Sequence, residues 1–227
     1  MKKALMILLS GILIITGCIE LSFKADEKIA QVVYQNSYKK TVIIDAGHGG
    51  ADAGTIGIDG ALEKNINLSI ALDLYDYLMV SGINSVLIRS GDYELYKPNE
   101  PRNRSDLYNR MDFINSIPNA VLISIHQNHF SDEKEWGTQI WYAPGSNESK
   151  TLADKILKKI KSTIQQDNNR ENKESGDEYY ILYNAVHPSI MIECGFMSNN
   201  EENKKLQDKE YQKDFAYLIL AGVCEDI

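Results

Sequence analysis

His48, Glu63, His126 and Glu193 are the residues of this chain whose types and settings could do chemistry together. Each lies at the edge of an apolar strand-like run or at the start of a helix, in the segments TVIIDAGHGG, GALEKNINL, AVLISIHQN and SIMIECGFMSN. Two imidazoles and one carboxylate make the ligand set of a catalytic zinc whose fourth position stays open. A further carboxylate beside such a site could carry the proton of a hydrolysis. Each residue alone has an ordinary explanation. His48 would be a surface histidine, Glu63 a first-turn acid compensating the helix dipole, and Glu193 half of a salt bridge with Arg89 or Arg110. Yet a carboxylate straight after Ile190-Met191-Ile192 is costly to bury unless paired or bound. Taken together, the four favour His48, Glu63 and His126 as zinc ligands and Glu193 as the general acid/base.

The glycines of Gly47-His48-Gly49-Gly50 let a loop fold back without a Cβ clash. They do not make a dinucleotide-binding loop, because Asp52 stands where the third glycine of that pattern belongs. Nor is there a compact H-E-x-x-H, so the ligands must be assembled from distant segments. Asn128 and His129, just beyond His126, are candidates to touch substrate. His187, before Pro188, reads as structural or as part of a cleft rim.

The elements that must position these residues alternate strand and helix signals. Strands are expected at Thr41 to Asp45, Asn84 to Arg89, Ala120 to Ile125, Gln139 to Ala143, Tyr179 to Leu182 and Ser189 to Ile192. Ile66, Ile70, Leu74 and Leu78 recur at helical spacing over Glu63 to Val80, and Gly82 supplies a stop. Further helices are expected at Ser105 to Ser116, Lys150 to Gln165 and Lys209 to Val223, with a polar loop over Asn168 to Asp177. Such alternation implies an α/β fold: a twisted, mostly parallel (mixed) sheet of about six strands with helices on both faces. Ligands of such sheets gather at the carboxyl ends of the strands, where His48, His126 and Glu193 are expected, with Glu63 opening the first helix.

The chain has 227 residues, 43% of them hydrophobic, enough for one sizeable core. Its net charge of −8 argues against nucleic acid as partner and against charge-driven docking to an anionic membrane. Met1-Lys2-Lys3 followed by the apolar run Ala4 to Ile15 describes an export signal, short for a membrane-spanning helix. Ile15-Thr16-Gly17-Cys18 resembles a lipobox, in which Cys18 would carry the lipid; the alternative is a plain cleavage site or short anchor. Residues 1–18 are thus read as the export segment, 19–40 as a tether, and 41–227 as a single catalytic domain outside the cytoplasm, touching membrane only through its N-terminal segment. Cys194 and Cys224 could pair in an exported chain, but buried free thiols are favoured.

Five segments, in order, resemble the zinc-dependent N-acetylmuramoyl-L-alanine amidases of the type-3 family. They are Ile44 to Gly50, Gly60 to Lys64, Leu87-Ile88-Arg89 with Asp92, Ser124 to Asn128, and Glu193 to Asn199. The resemblance implies a mixed six-stranded sheet, zinc on His48, Glu63 and His126, and Glu193 as catalytic acid/base. It implies a peptidoglycan substrate, cut at the amide between the muramic acid lactyl group and L-alanine. A short chain of this kind is most similar to the germination-type amidases, which act on spore cortex and prepare muramic-δ-lactam. Some relatives carry a plug helix released by a partner. Little room exists here for that insertion, so an open cleft is expected, with a protein activator still possible. The competing functions are another peptidoglycan zinc hydrolase, such as a carboxypeptidase, and a non-catalytic peptidoglycan-binding protein.

Overall fold

The computed structural model describes residues 40–96, 99 and 102–225. The export segment, Cys18 and the tether lie outside the described residues, which belong to a compact unit beginning at Lys40.

The chain forms β1 (Thr41–Ala46), α1 (Glu63–Val80), β2 (Ser85–Leu87), α2 (Arg102–Ser116), β3 (Ala120–Asn128), β4 (Gln139–Tyr142), α3 (Asn147–Thr163), β5 (Lys173–Glu174), α4 (Tyr180–Asn184), β6 (Ser189–Phe196), α5 (Asn200–Gln207) and α6 (Lys209–Val223). One six-stranded sheet results, in the order β2-β1-β3-β6-β4-β5. All neighbours are parallel except β4 and β6. The expected mixed α/β sheet is therefore what the chain builds.

The central strands read as unbroken apolar runs because both of their faces are covered. Val42, Ile44, Val121, Ile123, Ile190 and Ile192 point into the larger core, against Ile66, Ile70 and Leu74 of α1, Ile156 of α3 and Phe215 of α6. Ile43 and Leu122 point the other way, into a smaller layer with Met111 and Ile114 of α2 and Ile181 of α4. Truncating one of these side chains to Ala would cost about 2–5 kcal/mol. α1 stops as its sequence signals: Gly82 takes φ 71, and Ile83 N donates back to the Leu78 carbonyl at 3.0 Å.

Three expectations need correction. Tyr179 to Leu182 is not a strand. Tyr180–Asn184 forms the short helix α4, which buries Ile181 and Leu182 and sets Tyr180 edge-on to Tyr108 at 5.2 Å. A run this short carries no period that separates the two states. The sixth strand is instead the two-residue β5, inside the segment expected to be a polar loop. Third, β3 and β6 outrun their apolar stretches, so His126 and Glu193 lie within strands rather than after them.

Cys194 and Cys224 are free thiols, the first buried in β6 and the second exposed. Among the described residues no helix is long and apolar enough to cross a membrane.

Candidate metal centre and active site

β1 ends at Ala46, and the chain turns through Gly47, His48 and Gly49. His48 takes φ 63, a conformation that non-glycine residues adopt rarely. Two buried arginines hold the turn by its carbonyls. Arg110 donates through Nη1 to Asp45 Oδ1 at 2.6 Å and Ala46 O at 2.9 Å, and through Nη2 to His48 O at 2.6 Å. Arg89 donates through Nε to Ala46 O at 2.7 Å and through Nη2 to Gly47 O at 2.9 Å. Lys64 spans Gly50 O and Asp92 Oδ2, both at 2.7 Å, and Gly50 N donates to Asp92 Oδ1. The Arg89, Lys64 and Asp92 positions thus serve to shape the His48 loop. Neither arginine pairs with Glu193.

The imidazole of His48 is oriented from behind. Its Nδ1 lies 2.7 Å from Asp52 Oδ2, which turns Nε2 toward Glu63 Oε1 at 3.3 Å. Glu63 is buried at the first turn of α1. Its Oε1 accepts from Gln127 N at 2.9 Å and from Asn67 Nδ2 at 3.2 Å, and Oε2 accepts from Thr55 N at 2.7 Å. From β3, His126 brings Nδ1 to 3.0 Å from the same Oε1. Burial alone would raise the Glu63 pKa. The hydrogen bonds and charges of His126 and His48 outweigh it and hold the carboxylate well below its usual range. Burial would lower His48, but Glu63 and then Asp52 lift it to about 9.

One ligand atom from each of His48, Glu63 and His126 falls within 4.8 Å of the other two. Two neutral-capable nitrogens and a carboxylate oxygen so gathered fit a divalent transition metal. Behind two of the three stands the polar support that such ligands need: Asp52 for His48, and Asn67 with the Gln127 amide for Glu63.

Glu193 lies on β6 directly opposite His126 of β3, so the two side chains share one face of the sheet. A register irregularity follows His126. Glu193 Oε2 is enclosed and meets no hydrogen-bond partner among the described residues. Burial pushes the carboxyl up to about 7, against the opposing charge of His126. An ionisable group with an enclosed, unpartnered oxygen beside a metal-type cluster is suited to proton transfer.

Residues 42–225 match the family model described as N-acetylmuramoyl-L-alanine amidase. The chain belongs to the N-acetylmuramoyl-L-alanine amidase family. The germination-specific N-acetylmuramoyl-L-alanine amidase of Bacillus subtilis is 30% identical over 81% of this chain and 78% of its own length. YqiI, also from Bacillus subtilis, is 36% identical over 81% of this chain and 83% of its own. Among solved structures, the CwlD amidase of Clostridioides difficile, in complex with the GerS lipoprotein, superposes with a TM-score of 0.79. It is 38% identical and the match covers 82% of this chain and 98% of that one. The amidase reaction on peptidoglycan and the possible metal site at His48, Glu63 and His126 thus come together in one chain.

Asn128 lines a cavity of about 350 Å³ that continues across β4. His129 stands exposed beyond β3, outside that lining. His187 precedes β6 at the end opposite Glu193, about 20 Å away along the strand. Sequence reasoning missed Asp52, Asn67 and Gln127. Asp52 alone had a signal: an acid four residues beyond a histidine, within one glycine-rich turn.

Proposed function

We propose that this amidase is a zinc enzyme in which His48, Glu63 and His126 hold the metal and Glu193 moves the protons. The convergence of three donor atoms within 4.8 Å, with Glu193 directly opposite His126, carries the reading. When bound, zinc would act as a Lewis acid toward water and the scissile lactyl carbonyl. Glu193 accepts the proton of the attacking water as its oxygen bonds to the carbonyl carbon. It then delivers that proton to the alanine nitrogen as the C–N bond breaks. A carboxyl raised to about 7 by burial can both take and give a proton near neutral pH. Asp52 and Asn67 keep the imidazole and carboxylate aimed, while Arg89 and Arg110 hold the strained His48 turn.

The name of one similar protein, germination-specific, supports a spore role, and the structure of another in complex with a lipoprotein supports a protein partner. On this reading the enzyme is exported, held at the envelope through Cys18, and strips stem peptides from cortex muramic acid ahead of lactam formation. A protein activator docks on it. The deciding experiment supplies defined muropeptides to the purified exported chain with stoichiometric zinc or with chelator, products being read by mass spectrometry. Zinc-dependent release of an intact stem peptide with a free L-alanine amine is expected. Trimming of one terminal residue would instead mark a carboxypeptidase.

A further inference from the structure

On the face that carries His126 and Glu193, α2 and α4 cover the sheet beside β1 and β3, and the β4–β5 side is left as an open strip. Gln139 lies opposite Glu193, Trp141 is two residues further along β4, and Lys173 lies opposite Trp141 on β5. These residues, with Tyr179, Phe196 and Arg170, line the cavity of about 350 Å³. The strip adjoins the reaction centre, since Gln139, which lines the cavity, is the register partner of Glu193.

Of the four rings that line this cavity, Trp141, Tyr179 and Phe196 are already engaged, while Phe130 stands exposed. Trp141 packs against Tyr179 at 4.7 Å between centroids, and Lys173 Nζ stands 5.4 Å from the Trp141 centroid. Arg170 covers Phe196 at 4.4 Å. A sugar needs a bare aromatic face to stack on, and neither Trp141 nor Phe196 offers one. The charges differ from the rest of this acidic chain. Arg170 is paired with Glu135, which leaves the exposed ammonium of Lys173, steadied over an indole, as the cation facing the strip. An ammonium so placed selects an anion.

Resting on the amidase reading above, we propose that this strip receives the stem peptide rather than the glycan, and that Lys173 pairs with a free carboxylate on it. Two strand spacings across the sheet and two residues along it put Lys173 about 12 Å from Glu193. That distance is about three to four residues of extended peptide, and the long lysine side chain reaches back to a carboxylate on the second or third. Specificity for unamidated stems follows, because a carboxamide in that place leaves the ammonium without its partner.

The test uses two synthetic muropeptides that differ only in bearing carboxylates or carboxamides on the second and third stem residues. Zinc-loaded wild type and Lys173→Met are compared by initial rates. Wild type is expected to show a KM about tenfold lower for the carboxylate form. Lys173→Met is expected to lose that preference by raising KM for the carboxylate form alone. Equal KM values for the two forms in wild type, or an equal loss on both in the variant, would overturn the proposal. So would a loss that grows with glycan length instead of stem charge. If wild type cleaves neither form without its activator, calorimetric titration of the same pair into both proteins decides the subsite independently.

Discussion

Arg110 Nη2 donates to the carbonyl of His48 at 2.6 Å while Nη1 of the same guanidinium is buried against Asp45. One side chain thereby joins a buried ion pair to the turn that carries His48. Ser124 Oγ completes the Asp45 carboxylate at 2.7 Å. Burial would raise the Asp45 pKa, but the charges of Arg110 and His126 and the hydrogen bonds of Ser124 and Arg110 together outweigh it and hold the carboxyl down. Arg110→Met leaves the buried Asp45 charge without its cation, at an expected cost of about 3–5 kcal/mol in denaturant unfolding. Asp45→Asn combined with Arg110→Met should cost less than the sum of the two single changes. In either variant the His48 turn loses an anchor, and zinc affinity measured by chelator competition should fall about 10–100-fold.

Ligand and proton carrier separate by substitution. His126→Ala removes one of the three proposed metal donors, so metal content after dialysis should drop with turnover. Glu193→Gln keeps the volume and every donor. It should bind zinc as wild type does while turnover falls by at least about 10²-fold. Elemental analysis beside rate measurements on one protein batch checks both. A Glu193→Gln protein of normal activity would remove that residue from the mechanism.

The elements legible in the sequence were those whose burial is periodic or continuous. Ile66, Ile70, Leu74 and Leu78 gave α1 its limits of Glu63 and Val80, as observed. Val121 to Ile125 gave the centre of β3 but not its end, because pairing with β6 continues through the polar His126. Helix α5 is polar, and its sign was the cap: Asn199 accepts from Glu201 N and Glu202 N. Of this cap and helix, only Asn199 falls within the Glu193 to Asn199 segment. Asp45, Arg89 and Arg110 lie far apart in the chain, and nothing in their local sequence shows that they converge under His48. The three metal-type donors could be named because the strand and helix pattern brings them to one rim of the sheet, though each alone has an ordinary explanation. Their supporting hydrogen bonds could not.

The raised pKa of Glu193 makes a pH-dependent stability prediction for the metal-free protein. Below pH 4.5 the carboxyl is protonated both folded and unfolded and contributes nothing. Between about 4.5 and 7 the unfolded chain ionises while the folded site stays protonated, so stability falls as pH rises. Above 7 the penalty is constant, at most about 3 kcal/mol for a shift of this size. Glu193→Gln, which cannot ionise, should therefore melt higher than wild type at pH 8 and at the same temperature at pH 4. An equal Tm difference at both pH values would mean that the substitution acts through packing, not charge.

Gly47 separates a folding requirement from a site requirement. A Cβ at this position would stand 2.2 Å from both Cε1 and Nε2 of His126 and 2.7 Å from its Cδ2. These three nearest atoms all belong to the partly exposed imidazole rather than to the hydrophobic core. Gly47→Ala should leave a cooperative unfolding transition within about 1 kcal/mol of wild type, as expected where the core is untouched. The His126 ring, however, must swing away from Glu63 Oε1, which it now meets at 3.0 Å. Zinc binding should fall at least as far as in His126→Ala, because the displaced ring also obstructs the place where the donors converge. Gly54→Ala offers the matching control from the other side: its Cβ would lie 2.6 Å from Glu63 Oε2 and 2.6 Å from His48 Cδ2. Isothermal titration of zinc into each folded variant reads the effect, and wild-type affinity in Gly47→Ala would show that His126 is not a ligand.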